Sequence, residues 1–87
     1  MLTNKLKVAA PNGLGSRHSA SLVFEANKFE CDIHLKHGED VADAKSIMNV
    51  MALVIRQGEN FEIHAKGKDE KEAMTHLLAH LKKIQLV

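Results

Sequence analysis

The chain has no Trp, no Tyr, one Pro and one Cys. A single cysteine, Cys31, excludes an internal disulfide and a thiolate metal cage, and it suits a reducing compartment. With only three Phe to set beside those absences, there is no platform of rings on which nucleic-acid bases stack. An excess of one charge is missing too. Twelve Lys and Arg against eleven Asp and Glu leave a formal +1, too balanced for a protein that works on nucleic acid or at a membrane surface. The longest apolar stretch, Val50 to Ile55, is far too short to cross a bilayer. The N-terminal segment alternates like a strand and lacks the apolar core of a signal peptide. The expected location is therefore the cytoplasm, with neither nucleic acid nor membrane as a direct partner.

What is present is an ordinary folding chain. Its 87 residues are 45% hydrophobic and 26% charged, which fits one domain spanning residues 1–87. From Asn4 to Ala9, Leu6 and Val8 face one way and Lys5 and Lys7 the other, the period of a half-buried strand. Pro11-Asn12-Gly13 breaks it. Ser16 to Lys28 changes period: Ser19, Leu22, Val23, Ala26 and Phe29 form one helical stripe, with Gly15 or Ser16 as the N-cap. Cys31, Ile33 and Leu35 alternate with Asp32, His34 and Lys36 as a second strand. A turn at His37-Gly38 leads to a third strand over Glu39 to Ala44, which pairs with the second as a hairpin.

Ser46 is placed to cap a short helix over Ile47 to Leu53. That helix is apolar almost all round, which leaves part of Ile47, Met48 and Met51 at the surface. Phe61, Ile63 and Ala65 alternate as a fourth strand. Asp69 then caps the last helix, with Glu72 near a capping-box position. Met74, Leu77, Leu78, Leu81 and Ile84 form its buried stripe, and Lys82 and Lys83 suit its C-terminal dipole. The economical solution is an α+β open-faced sandwich: a four-stranded antiparallel sheet with three helices on one face.

Two segments are unusual: Asn12-Gly13-Leu14-Gly15-Ser16-Arg17-His18-Ser19-Ala20, and Ala44-Lys45-Ser46-Ile47-Met48-Asn49-Val50-Met51-Ala52-Leu53. The second resembles the regulatory-serine region of HPr, the small phosphocarrier family of the bacterial sugar phosphotransferase system. The first aligns without gaps to that family's phosphorylation motif of Gly, aliphatic, His, Ala, Arg and Pro. The resemblance covers essentially the whole chain and implies the HPr-like fold. In the family the motif's His, at the first helix's N-terminus, takes phosphate from enzyme I. Here Gly13, Leu14 and Arg17 match, but Gly15 stands in the His position and His18 in the Pro position. Gly15 has no side chain to carry phosphate.

This pattern is similar to the Crh subgroup, which lacks the active-site His and keeps the regulatory Ser. The resemblance implies phosphorylation of Ser46 by HPr kinase/phosphorylase, docking to catabolite control protein A or another regulatory protein, and a role in carbon catabolite regulation. Arg17 and Lys45 are the anion or partner contacts it points to, and Ile47, Met48 and Met51 the docking patch. The alternative is a phosphocarrier working with enzyme I through His18 as a displaced acceptor, about 5 Å along the helix. No acid–base pair or nucleophile triad appears, so neither enzymatic activity nor a cofactor is expected. His76 and His80 have i, i+4 spacing but no third ligand nearby in sequence, and read as a solvated pair rather than a metal site. His34 and His64 fall on polar strand faces as possible cross-strand neighbours; two imidazoles alone do not define a site. Cys31 alternates into the core, where a thiol is inert.

Overall fold

A computed structural model describes all residues from Met1 to Val87. The elements run β1 (Leu2–Lys7), α1 (Ser16–Ala26), β2 (Asp32–His37), β3 (Asp40–Asp43), α2 (Ile47–Ala52), β4 (Asn60–Lys66) and α3 (Glu70–Lys83). The sheet has the order β1-β4-β2-β3, and every neighbouring pair is antiparallel. Alternation in the strands has the expected consequence: Ile33, Leu35, Ala42, Phe61, Ile63 and Ala65 point into the core, while their neighbours face solvent on the open side of the sheet. The helices close the other side with Leu22 and Ala26 of α1, Val50 of α2, and Ala73, Leu77 and Leu81 of α3. No buried side-chain N or O lacks a hydrogen-bond partner. No helix is long and apolar enough to cross a membrane.

Several boundaries differ from the sequence reading. β1 begins at Leu2 rather than Asn4, because Leu2 pairs with Ala65 at the far end of β4. Val8 and Ala9 leave the ladder, although the Val8 N–H still reaches the Glu59 carbonyl. α1 ends at Ala26 rather than Lys28, where Asn27 bends back as C-cap. Ile84 lies past the end of α3 and is only half-buried, while Leu86, beyond it, is fully buried. Asp69 does not cap its own helix. Its carboxylate instead accepts the N–H groups of Glu30 and Cys31, 2.9 Å each, which clamps the α1–β2 connection to the start of α3. The expected capping box with Glu72 is replaced by Glu70, whose Oε1 accepts the Gly67 N–H at 3.1 Å. Cys31 is buried with its thiol pushed up to about 11, first by burial and then by the neighbouring Asp69, so it stays protonated and inert.

The two glycines of the first unusual segment have opposite roles. Gly13 sits at φ +66°, and a Cβ there would stand 2.3 Å from the Ile55 carbonyl oxygen. That close approach lets the Leu14 N–H bond the same carbonyl at 2.8 Å and sets the loop that delivers the chain to α1. Gly13→Ala is expected to cost at least about 2 kcal/mol, from left-handed backbone strain plus a clash with backbone that has little room to move. Urea unfolding checks this: the midpoint falls with an unchanged slope. Gly15 is different. Its φ of −82° is ordinary, and a Cβ there would meet nothing nearer than the Asn12 carbonyl at 3.7 Å.

Candidate functional site

α1 opens without a side-chain cap and without an acidic residue in its first turn. Gly15 is the N-cap; its carbonyl accepts the Ser19 N–H at 2.9 Å, and it offers nothing else. Arg17 is exposed, and the ion pairs of the fold all lie elsewhere. Arg17, His18 and Ser21 form one wall of an open groove of about 480 Å³, with Ile84 and Gln85 opposite. The helix N-terminus and the guanidinium form an electropositive shelf.

His18 is half-buried, and its Nε2 lies 3.1 Å from the Ile84 carbonyl. The carbonyl only accepts, so Nε2 carries the proton and donates. This contact is the first rung of a ladder between α1 and α3. Ser21 Oγ meets His80 Nε2 at 2.7 Å, and Glu25 Oε1 meets His76 Nε2 at 2.5 Å. His76 and His80 are therefore not a solvated pair. Their rings stack with centroids 6.4 Å apart, and both are engaged with the opposite helix.

Glu25 is the buried carboxylate of this ladder, held also by Lys28 at 3.0 Å. The hydrogen bond from His76, then that from Lys28, lowers its pKa below the usual 4.5. A carboxyl depressed in the folded state stabilises the fold above its unfolded pKa and loses that contribution as pH falls through the folded value. Native stability is thus expected to drop below about pH 4.5. Glu59, Glu62, Asp69 and Glu70 shift the same way. Glu25→Gln isolates the contribution of Glu25: its urea midpoint should be lower than native near neutrality, with the gap closing at pH 3.

The second unusual segment folds as its residues suggest. Ser46 is the N-cap of α2, with extended backbone (φ −118°, ψ 113°), and its Oγ accepts the Asn49 N–H at 3.3 Å. It is half-buried. Lys45 does not stand free beside it: the Lys45 ammonium donates to the Phe29 carbonyl at 2.6 Å. The Lys45 carbonyl in turn accepts from the Asn27 side chain at 3.2 Å. The loop carrying Ser46 is thus tied to the C-terminus of α1, the helix whose N-terminus carries Gly15 and Arg17. Of α2, only Val50 is buried. Met48 is 78% exposed, Met51 43% and Ile47 39%, so the three expected docking residues do lie at the surface around Ser46. Sequence reasoning missed Val54, exposed just beyond α2, and Phe24, exposed on α1. Periodicity marks neither, since both are apolar residues off the buried stripe.

A family model described as the PTS HPr component phosphorylation site matches residues 2–83. The chain is 38% identical over 77 residues to the phosphocarrier protein HPr of Buchnera aphidicola, covering 88% of this chain and 91% of that one. It is 37% identical over 81 residues to the HPr-like protein Crh of Bacillus subtilis, covering 93% and 95%. Among solved structures, the histidine-containing phosphocarrier protein of Mycoplasma superposes with a TM-score of 0.96 at 30% identity, covering 99% and 98%. A crystal structure of Bacillus subtilis Crh, a swapped dimer, superposes at 0.75 with 36% identity, covering 95% of each chain.

Proposed function

The chain belongs to the HPr family of the phosphotransferase system, and from that premise we propose that it is a regulatory member, switched by phosphorylation of Ser46 and acting in carbon catabolite regulation. One observation carries the reading. The position that the sequence resemblance aligns with the family's acceptor imidazole is Gly15, with space around it and no side chain in it, while Ser46 caps α2 inside an exposed methionine patch.

The chemistry at Ser46 supports a switch rather than a disruption. A phosphate adds about −1.5 to −2 charge and three strong acceptors. Ser46 Oγ already points at the amide of Asn49, so added charge meets backbone donors at the start of α2. The phosphate creates a new anionic feature beside Met48 and Met51, whose flexible thioethers suit a partner surface. Arg17 and Phe24, both exposed on α1, are further proposed partner contacts. HPr kinase/phosphorylase is the proposed modifying enzyme, and catabolite control protein A or another regulatory protein the proposed reader, with the cytoplasm as the setting. No step here asks the chain to be a catalyst.

The carrier reading through His18 is weaker on geometry. The ring stands about one helical turn beyond position 15, roughly 5 Å, whereas productive placement of a reacting group tolerates about 0.5 Å. Its Nε2 donates to the Ile84 carbonyl, which ties the ring to the end of α3 rather than to the start of α1. The test is incubation with ATP and HPr kinase, with any phosphate located by mass spectrometry. Stoichiometric phosphoserine at position 46 is expected. An unmodified Ser46, under conditions that label authentic HPr, contradicts the proposal.

A further inference from the structure

The open face of the sheet carries a pair of side chains that the phosphorylation chemistry leaves unused. In the β2–β4 ladder His34 lies directly opposite His64. Asp43 of β3 faces His34 from the other side, and Thr3 of β1 faces His64. Directly opposed residues of antiparallel strands hold their Cβ atoms about 4.5–5.5 Å apart. From that separation two imidazoles reach one ion at a metal–nitrogen distance of about 2.0–2.1 Å. Both histidines line one shallow groove of about 290 Å³, together with Met1, Asp32, Val41 and Lys66.

The two rings are in suitable states. His64 Nε2 donates to Glu62 Oε1 at 2.8 Å. A carboxylate on one ring nitrogen fixes the proton there and leaves Nδ1 with its lone pair, the outer-shell arrangement that orients metal-binding histidines. His34 is exposed, and it is the one histidine of the six that no hydrogen bond or salt bridge holds. Asp32, Asp43 and Glu62 offset the nearby positive charge of Lys36 and Lys66.

We propose that His34 and His64 together chelate one divalent transition-metal ion of the class imidazole favours, copper, nickel or zinc, with Cu²⁺ the tightest. No third His, Cys, Asp or Glu converges on the pair, so water completes the coordination and the ion exchanges readily. The site clips β2 to β4 on the face opposite the helices. It stands or falls independently of the regulatory reading.

The test is titration of the full chain with Cu²⁺, followed by electron paramagnetic resonance and by broadening of backbone NMR signals. Two nitrogen ligands are expected, with broadening centred on residues 33–35 and 63–65. His34→Gln and His64→Gln should each weaken binding at least about tenfold, a difference of about 1.4 kcal/mol. His76→Gln should leave it unchanged. As a second measurement, Zn²⁺ should raise the thermal midpoint of the native chain more than that of His34→Gln, while the metal-free midpoints of the two stay equal. Undiminished Cu²⁺ binding in the His34→Gln/His64→Gln double variant overturns the proposal, as does broadening centred on His76 and His80.

Discussion

Replacing Gly15 by His should give a protein that takes phosphate from phosphoenolpyruvate and enzyme I, where the native chain takes none. The backbone at this position is already that of an ordinary L-residue, and an added Cβ finds normal contact distance to the Asn12 carbonyl. The imidazole would stand at the open N-terminus of α1, beside the free guanidinium of Arg17. Both favour the charge of a phosphoryl group. Placing a nucleophile there should raise the labelling rate by at least about a thousandfold, the scale on which removing one acts elsewhere. The readout is acid-labile phosphate on the protein. A Gly15→His variant that folds normally yet takes no phosphate would show that the docking surface has diverged as well as the acceptor. A native chain labelled as fast as the variant would show that position 15 was never the deficit.

The second large effect belongs to Ser46. Ser46→Ala should abolish kinase labelling completely while lowering stability by only about 1 kcal/mol, the cost of losing the cap to the Asn49 amide. The two readouts separate the roles of one hydroxyl: denaturant unfolding reports the cap, and labelling reports the switch. Met48→Asp tests the partner surface from the other side. The side chain is largely exposed, so the fold should tolerate the change. Binding of the phosphorylated protein to its regulatory partner should fall about 30-fold or more, as for loss of an interface hot spot. Binding that survives Met48→Asp in a protein still phosphorylated at Ser46 places the reader elsewhere.

The parts of this molecule that could be read from sequence are those in which neighbours in the chain decide the outcome. Ile33, Leu35, Phe61, Ile63 and Ala65 alternate and are buried. Ser46 precedes an apolar turn and caps it. A six-residue helix that is apolar all round must expose part of itself, and it exposes Met48. Side chains with distant partners were opaque. Asp69 looks like a cap for its own helix, but its oxygens go to Glu30 and Cys31, nearly forty residues earlier in the chain. His76 and His80 look like a solvated pair because Glu25 and Ser21 are far from them in sequence. Lys45 sits next to Ser46, yet its ammonium goes to Phe29. Two glycines in one loop look alike in sequence, and only the position of the Ile55 carbonyl shows that Gly13 is required and Gly15 is not.

Phosphorus NMR of the intact protein, incubated with both phosphoenolpyruvate plus enzyme I and ATP plus HPr kinase, tests the central claim most directly. Phosphate bonded to serine oxygen and phosphate bonded to imidazole nitrogen give distinct resonances. A scaffold that has lost its imidazole and kept its serine gives the phosphoserine signal alone, and that signal disappears in Ser46→Ala. A phosphohistidine resonance that disappears in His18→Gln, with no phosphoserine beside it, would contradict the account.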